Sequence, residues 1–152
     1  MARMNSGVFL DAARAVADDP KRALEMALAH FGADTGTLHR MGDDGMLHLE
    51  AWAGHIPESL LPVIQTIPVG KGIAGLAVER KAPVDLCNLQ TDTTGQARPR
   101  AKETGVQGSI CVPMMKGDKP VGALGIATVR ERTFTEAEIE ELMALGRALA
   151  ED

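Results

Sequence analysis

Residues 67–92 read I-P-V-G-K-G-I-A-G-L-A-V-E-R-K-A-P-V-D-L-C-N-L-Q-T-D. This stretch predicts an extended lead-in, a glycine turn, a short helix, a short strand and a polar loop. Gly70 and Gly72 permit a tight, left-handed turn that a side chain would obstruct. Ile73, Leu76 and Ala77 stand at i, i+3 and i+4, one face of a helix. Lys81-Ala82-Pro83 stops that helix, because the residue before a proline is pushed out of the helical region. Val84, Leu86 and Leu89 continue as strand, and the loop opens at Asn88.

Upstream, a short amphipathic helix spans the region of Val8 to Val16. Asp19 is a good N-cap and Pro20 suits the first position of a second helix. Leu24, Ala27, Leu28 and Phe31 recur on one helical face, and Gly32 closes it. Thr35–Met41 and Met46–Ala53 read as two strands joined by the G-D-D-G turn, a hairpin. Pro57–Gln65 reads as one short helix with Leu60, Leu61 and Ile64 on one side. Downstream, residues 88–100 are polar and aperiodic, then Arg100–Thr104 forms a helical turn ended by Gly105. Val106–Met115 and Pro120–Val129 are strands around the K-G-D-K turn. Thr135 caps a last helix, with Glu138 completing a capping box. Ile139, Leu142, Met143, Gly146 and Leu149 form its apolar stripe.

The sum is an α+β domain: an antiparallel sheet, helices at both chain ends, and a helix-and-loop excursion between. Alternation along the last two strands separates their faces. Ile110, Val112, Met114, Leu124 and Ile126 make one face bulky. Ser109, Cys111, Pro113, Ala123, Gly125 and Ala127 make the other small and mildly polar. Helices belong on the bulky face. The small face has room for a ligand or for close approach of the middle helix.

The ordered motifs at 67–77, 83–86, 105–114 and 122–126, with F-T-x-x-E at Phe134–Glu138, resemble the GAF domain family. The resemblance covers roughly residues 20 to 150. It implies a GAF-like fold in which the terminal helices pack together on one sheet face. The middle excursion covers the other face and encloses a ligand cavity. Residues 1–19 would be an N-terminal extension with a short helix, and residues 20–152 the GAF-like domain. Fold alone leaves function open, since the family is mostly sensory with an enzymatic minority.

The enzymatic branch, free methionine-(R)-sulfoxide reductase, is similar in length. The resemblance would ask for a cysteine in the glycine motif, others in the following loop, and strand acids to hold the substrate amine. Here Ala74 occupies the first cysteine's place, and the loop from Asn88 to Gly108 has no cysteine. Ser109, Gly125 and Ala127 stand where the acids would be. Without those thiols the sulfoxide has no attacking thiolate, so the chain is expected not to be an enzyme. The signature of cyclic-nucleotide GAF domains is missing after Asn88. So are the cysteine–histidine pair and the D-I-P motif of bilin-binding ones.

Composition narrows the partners. The 152 residues suit one domain with its own core. The net charge of −5, spread along the chain, argues against nucleic acid or an anionic membrane. No apolar run is long enough to span a bilayer, and the first residues lack the apolar segment of a signal peptide. Two cysteines make no disulfide framework. A cytoplasmic location follows as the expectation. Cys87 and Cys111 read first as small buried hydrophobes, with a redox pair requiring disulfide distance. His30, His39, His48 and His55 show no metal-ligand spacing, so no metal or cofactor is expected. His39 and His48 read as exposed strand residues that could face each other across the hairpin.

The functional expectation is a sensory or regulatory domain in signal transduction, binding a small polar or anionic molecule. Its candidate ligand contacts are Cys87, Asn88, Thr91, Thr93, Thr94 and Arg98 from the loop, with Ser109, Cys111, Gly125 and Ala127 from the strands. For each loop residue the plainer reading is solvent exposure. An arginine would hold a carboxylate or phosphate bidentately, similar to the organic-acid sensing proposed for GAF modules of nitrogen-regulated activators. A homodimer through the terminal helices is expected. The alternative is a ligand-free GAF-like module for protein interaction or dimerisation, and the third reading is a redox-active or reductase-like enzyme.

Overall fold

The computed structural model describes residues 6–92, 94, 96 and 99–150. Helices α1 (Ser6–Ala15) and α2 (Pro20–Phe31) lead into strands β1 (Thr35–Met41) and β2 (Met46–Ala53). A 3-10 turn at Glu58–Leu60, helix α3 (Leu61–Ile64) and strand β3 (Thr66–Pro68) follow. Next come α4 (Gly72–Arg80), β4 (Val84–Leu86) and a second 3-10 turn at Pro99–Thr104. The chain then runs through β5 (Gly108–Lys116), β6 (Lys119–Thr128) and α5 (Glu136–Ala150). The six strands form one sheet in the order β3-β2-β1-β6-β5-β4, and every neighbouring pair is antiparallel.

Local chemistry sets the helix boundaries. The Asp19 side chain accepts from the Arg22 N–H, and Gly32 ends α2 in the left-handed region at φ 66°. Thr135 and Glu138 cap α5 reciprocally: each side chain accepts from the other's backbone N–H. Gly70 and Gly72 both take positive φ, 88° and 67°. The expected helix over Pro57–Gln65 is instead split in two. Pro62 has no N–H to give the Glu58 carbonyl, so the Leu61 N–H takes that acceptor and tightens the first turn. Strand β5 begins at Gly108 rather than Val106.

The two sheet faces are packed differently. Phe9, Leu24, Phe31, Leu38, Ile110, Val112, Met114, Leu124 and Ile126 join Leu142, Leu145 and Leu149 in one core under α1, α2 and α5. The α5 stripe expected to serve a dimer is largely spent here: Leu142, Gly146 and Leu149 are buried, while Ile139 and Met143 are only partly so. On the other face α4 packs Ile73, Ala77 and Val78 against Val84, Leu86, Cys111, Ala123 and Ala127. No helix among the described residues is long and apolar enough to cross a membrane.

A buried polar pair ties the terminal helices. His30 Nε2 of α2 lies 3.0 Å from Glu141 Oε2 of α5, and the His30 ring stacks on Phe9 of α1 at 3.9 Å. Removing one partner of such a pair strands the other in an apolar setting. Glu141→Ala is therefore expected to destabilise the fold by about 3 kcal/mol in urea unfolding. Glu141→Gln, which keeps an acceptor, should lose about 1 kcal/mol. Equal, negligible losses would show that the pair is not structural.

Candidate functional site

The small face of the sheet does leave space. On β1, Thr35, Thr37 and His39 point to the side opposite Leu38, and all three line a cavity of about 180 Å³. Ser109 and Cys111 from β5 and Gly125 and Ala127 from β6 line it as well. In the ladder Gly125 stands between Thr37 and Cys111. A Cβ at position 125 would meet Cys111 Sγ at 2.7 Å and Thr37 Oγ1 at 3.3 Å. The missing side chain thus lets a thiol and a hydroxyl sit over the middle strand.

The excursion supplies the opposite wall. Leu60, Val63, Ile64 and Ile67 reach in from the segment before α4, and Ile73 and Ala74 from its first turn. The close packing of that turn depends on Gly75, where a Cβ would lie 2.5 Å from the Pro68 carbonyl. Leu89, Thr104 and Val106 complete the wall from the loop side. The lining is mainly aliphatic. Among the described residues, its one charged side chain, Lys71, is itself exposed.

The structure separates the sequence-derived candidates into two groups. Ser109, Cys111, Gly125 and Ala127 line the cavity, and Cys87, Asn88, Thr91 and Thr94 do not. Cys87 is exposed, not the buried hydrophobe expected. Leu86 pairs with Ser109 and Val84 with Cys111. Cys87 therefore lies about 10 Å along the strands from Cys111, beyond disulfide reach. Asn88 donates to Glu131 at 2.8 Å and accepts from the Gln90 N–H. The Thr91 hydroxyl donates to the Asn88 carbonyl, and the Thr94 hydroxyl donates to Asp92 at 2.7 Å. These loop groups are satisfied by loop neighbours and by Glu131, as short polar side chains often are in turns. Thr93 and Arg98 lie outside the described residues.

The residues missed are Thr35, Thr37 and His39, with the aliphatic wall of the excursion. His39 is 2% exposed rather than on the surface. The hairpin register from the turn, Met41 with Leu47 and Arg40 with His48, pairs His39 with Leu49. The expected cross-strand histidine pair therefore does not form. His39 Nε2 bonds the Ile64 carbonyl at 2.8 Å, linking β1 to the roof. Its Nδ1 is buried and meets no hydrogen-bond partner among the described residues. The signal was available: Thr35, Thr37 and His39 alternate with Leu38 just as Ser109 and Cys111 alternate with Ile110.

Burial governs the two titratable groups of the wall. It pushes the Cys111 thiol up to about 12. It also holds the His39 pKa below its ordinary value, outweighing the Ile64 carbonyl, which favours the proton; the His48 charge acts with burial. Among the described residues, no group of three or more His, Cys, Asp or Glu side chains could hold a metal ion.

A family model for the GAF domain matches residues 21–151. The chain belongs to the GAF family. No curated protein matches its sequence. Solved GAF structures match its fold along nearly the full length. The GAF domain of a phosphoenolpyruvate-protein phosphotransferase from Coxiella burnetii is 24% identical with a TM-score of 0.75, covering 97% of this chain and 91% of that one. The corresponding Acinetobacter domain is 20% identical with a TM-score of 0.77, over 97% and 92%. Free methionine-R-sulfoxide reductase from Neisseria meningitidis, solved with its substrate, is 17% identical with a TM-score of 0.78, over 99% and 90%. At these identities the likeness establishes the fold, and both sensory and enzymatic GAF domains share it.

His39 carries a pH signature. Its depressed folded pKa means the unfolded chain binds a proton first as pH falls through 6.5. Stability is therefore held above that pH and lost below it, by up to about 1.4 kcal/mol per pH unit from this group. His39→Leu should lose that part of the slope when unfolding free energies are compared between pH 7.5 and pH 5. An unchanged slope would place the histidine in solvent.

Proposed function

We propose that this GAF domain is a cytoplasmic, non-catalytic sensor that binds one small molecule between the sheet and the excursion. The observation that supports this is the cavity of about 180 Å³ walled by Thr37, His39, Ser109 and Cys111 on one side and aliphatic side chains on the other. An apolar protein cavity of about 150 Å³ accepts benzene, so a ligand of about one ring fits. The expectation of a small ligand is kept. The mostly aliphatic walls favour an apolar body over an anionic one; Arg98, the residue expected to hold an anion, lies outside the described residues.

Two observations favour binding over catalysis. Ala74, Ser109, Gly125 and Ala127, the positions where the resemblance to the reductases would put a thiol and acids, all line the cavity without supplying either. The one cavity thiol, Cys111, has its pKa raised to about 12. A thiol that stays protonated near neutrality is a poor nucleophile.

Ligand binding would stabilise the folded domain by linkage. A thermal-shift screen against small phenols, indoles, aliphatic alcohols, organic acids, nucleotides and methionine sulfoxide is expected to give a saturable rise for a compact, largely apolar class. Absence of any rise in folded protein would favour the ligand-free interaction module. Turnover of methionine sulfoxide would restore the enzyme reading.

The domain is further proposed to act as a homodimer. The partly exposed Ile139 and Met143 of α5 support such a contact. Sedimentation equilibrium at micromolar concentration should show a dimer that Met143→Asp dissociates; a monomer at all concentrations would end this reading.

A further inference from the structure

We infer that the ligand of this cavity sets a neutral acceptor oxygen, a carbonyl on an otherwise apolar body, over Gly125, where the Thr37 hydroxyl and the Cys111 thiol donate to it. The inference rests on the reading of the cavity as a binding site and goes on to specify the ligand's chemistry.

The sheet brings three residues to one spot. Gly125 of β6 pairs with Thr37 of β1 on one side and with Cys111 of β5 on the other, and all three line the cavity. With no Cβ on Gly125, both flanking side chains lean over it. Thr37 Oγ1 stands 3.3 Å and Cys111 Sγ 2.7 Å from where that Cβ would be. Neither atom has a hydrogen-bond partner among the described residues, and the two do not bond each other. The Thr37 oxygen is not one of the sealed, unpaired polar atoms, so it keeps open surface on the cavity it lines.

The chemistry of those two groups restricts the ligand. A hydroxyl has one proton to donate, and a thiol is a weaker donor. The thiol keeps its proton, since burial pushes its pKa up to about 12. Two donors leaning from opposite sides over bare backbone suit an oxygen with two lone pairs, which a carbonyl supplies. Ser109, 9% exposed and two residues along β5 from Cys111, lines the same cavity and offers a further hydroxyl. The facing wall of Leu60, Val63, Ile64, Ile67 and Ile73 is aliphatic, so the rest of the ligand is apolar. A carboxylate would exchange water for that wall, with the exposed Lys71 as the one cation among the described lining residues. An ammonium group would find no carboxylate among them. A small ketone, ester or amide meets both requirements.

The test uses three probes of similar size, acetophenone, ethylbenzene and benzoate, titrated into the whole protein. Acetophenone should bind more tightly than benzoate. Thr37→Val keeps the shape of the side chain and removes the donor. It should weaken acetophenone about fivefold, the effect of one neutral hydrogen bond, and leave ethylbenzene no weaker. Thr37→Ser, which keeps the hydroxyl, should retain acetophenone affinity. Infrared spectra of the wild-type complex give a second readout that needs no variant: the carbonyl stretch of bound acetophenone should lie below its value in hexane. Ethylbenzene binding without acetophenone, benzoate binding as tightly as acetophenone, equal effects of Thr37→Val on acetophenone and ethylbenzene, or a carbonyl stretch at its hexane value would each overturn the acceptor assignment and leave the cavity reading intact. Failure of all three probes to bind folded protein would overturn the cavity reading, and the acceptor assignment with it.

Discussion

The antiparallel ladder between β1 and β6 joins residues 35–40 to residues 122–127. It closes the longest loop of the sheet and joins the β3-β2-β1 half to the β6-β5-β4 half. Closing so long a loop costs entropy before any contact offsets it, and the register supplies the offset on both faces. Leu38 meets Leu124 on the helix side, and Thr37 meets Gly125 on the cavity side. A slip by one residue would exchange the two faces. At Gly122 a Cβ would lie 2.3 Å from the His39 carbonyl, so even the spacing of the two strands depends on which residues lack side chains.

From that ladder the two faces follow opposite packing solutions. The helix face is closed by large side chains, many with no exposed surface, including Leu38, Ile110, Val112 and Leu124. The other face carries Gly, Ala, Ser, Thr and Cys, and its cover is a folded excursion rather than a flat helix. Small residues under an uneven roof leave volume, and aliphatic roof residues keep that volume apolar. His39 is buried as a consequence, anchored to the roof through the Ile64 carbonyl.

The terminal helices lie on the far side of the same strands. Gly146 of α5 brings that helix close to β5, with the Pro113 carbonyl and Met114 atoms 3.5 to 3.6 Å from where a Cβ would stand. Arg40 of β1 donates to the Leu149 carbonyl near the end of α5 at 3.0 Å. A ligand that moved β1 or β5 from the cavity side would therefore press on α5 through the Arg40 bond and the close approach at Gly146. In a sensor, such a ligand changes the output only if it prefers one of two arrangements of these elements.

Much of this was legible in the amino-acid sequence, because it is local. The caps at Asp19, Gly32 and Thr135, the G-D-D-G hairpin, the glycine turn at residues 70–72 and the alternation of bulky and small residues all act within a few positions. Those patterns sufficed for the α+β fold and for Ser109, Cys111, Gly125 and Ala127 as cavity wall. The rest depends on contacts distant in sequence. The polarity of the loop at Asn88, Thr91 and Thr94 suggested ligand contacts, but their partners turned out to be loop neighbours and Glu131. The burial of His39 came from a roof segment 25 residues away that docks over β1, and such docking leaves no local pattern. Local sequence set the elements and the sidedness of the strands. Only tertiary packing decided where the cavity closes and that His39 is buried against the roof, because both depend on how the excursion docks on the sheet.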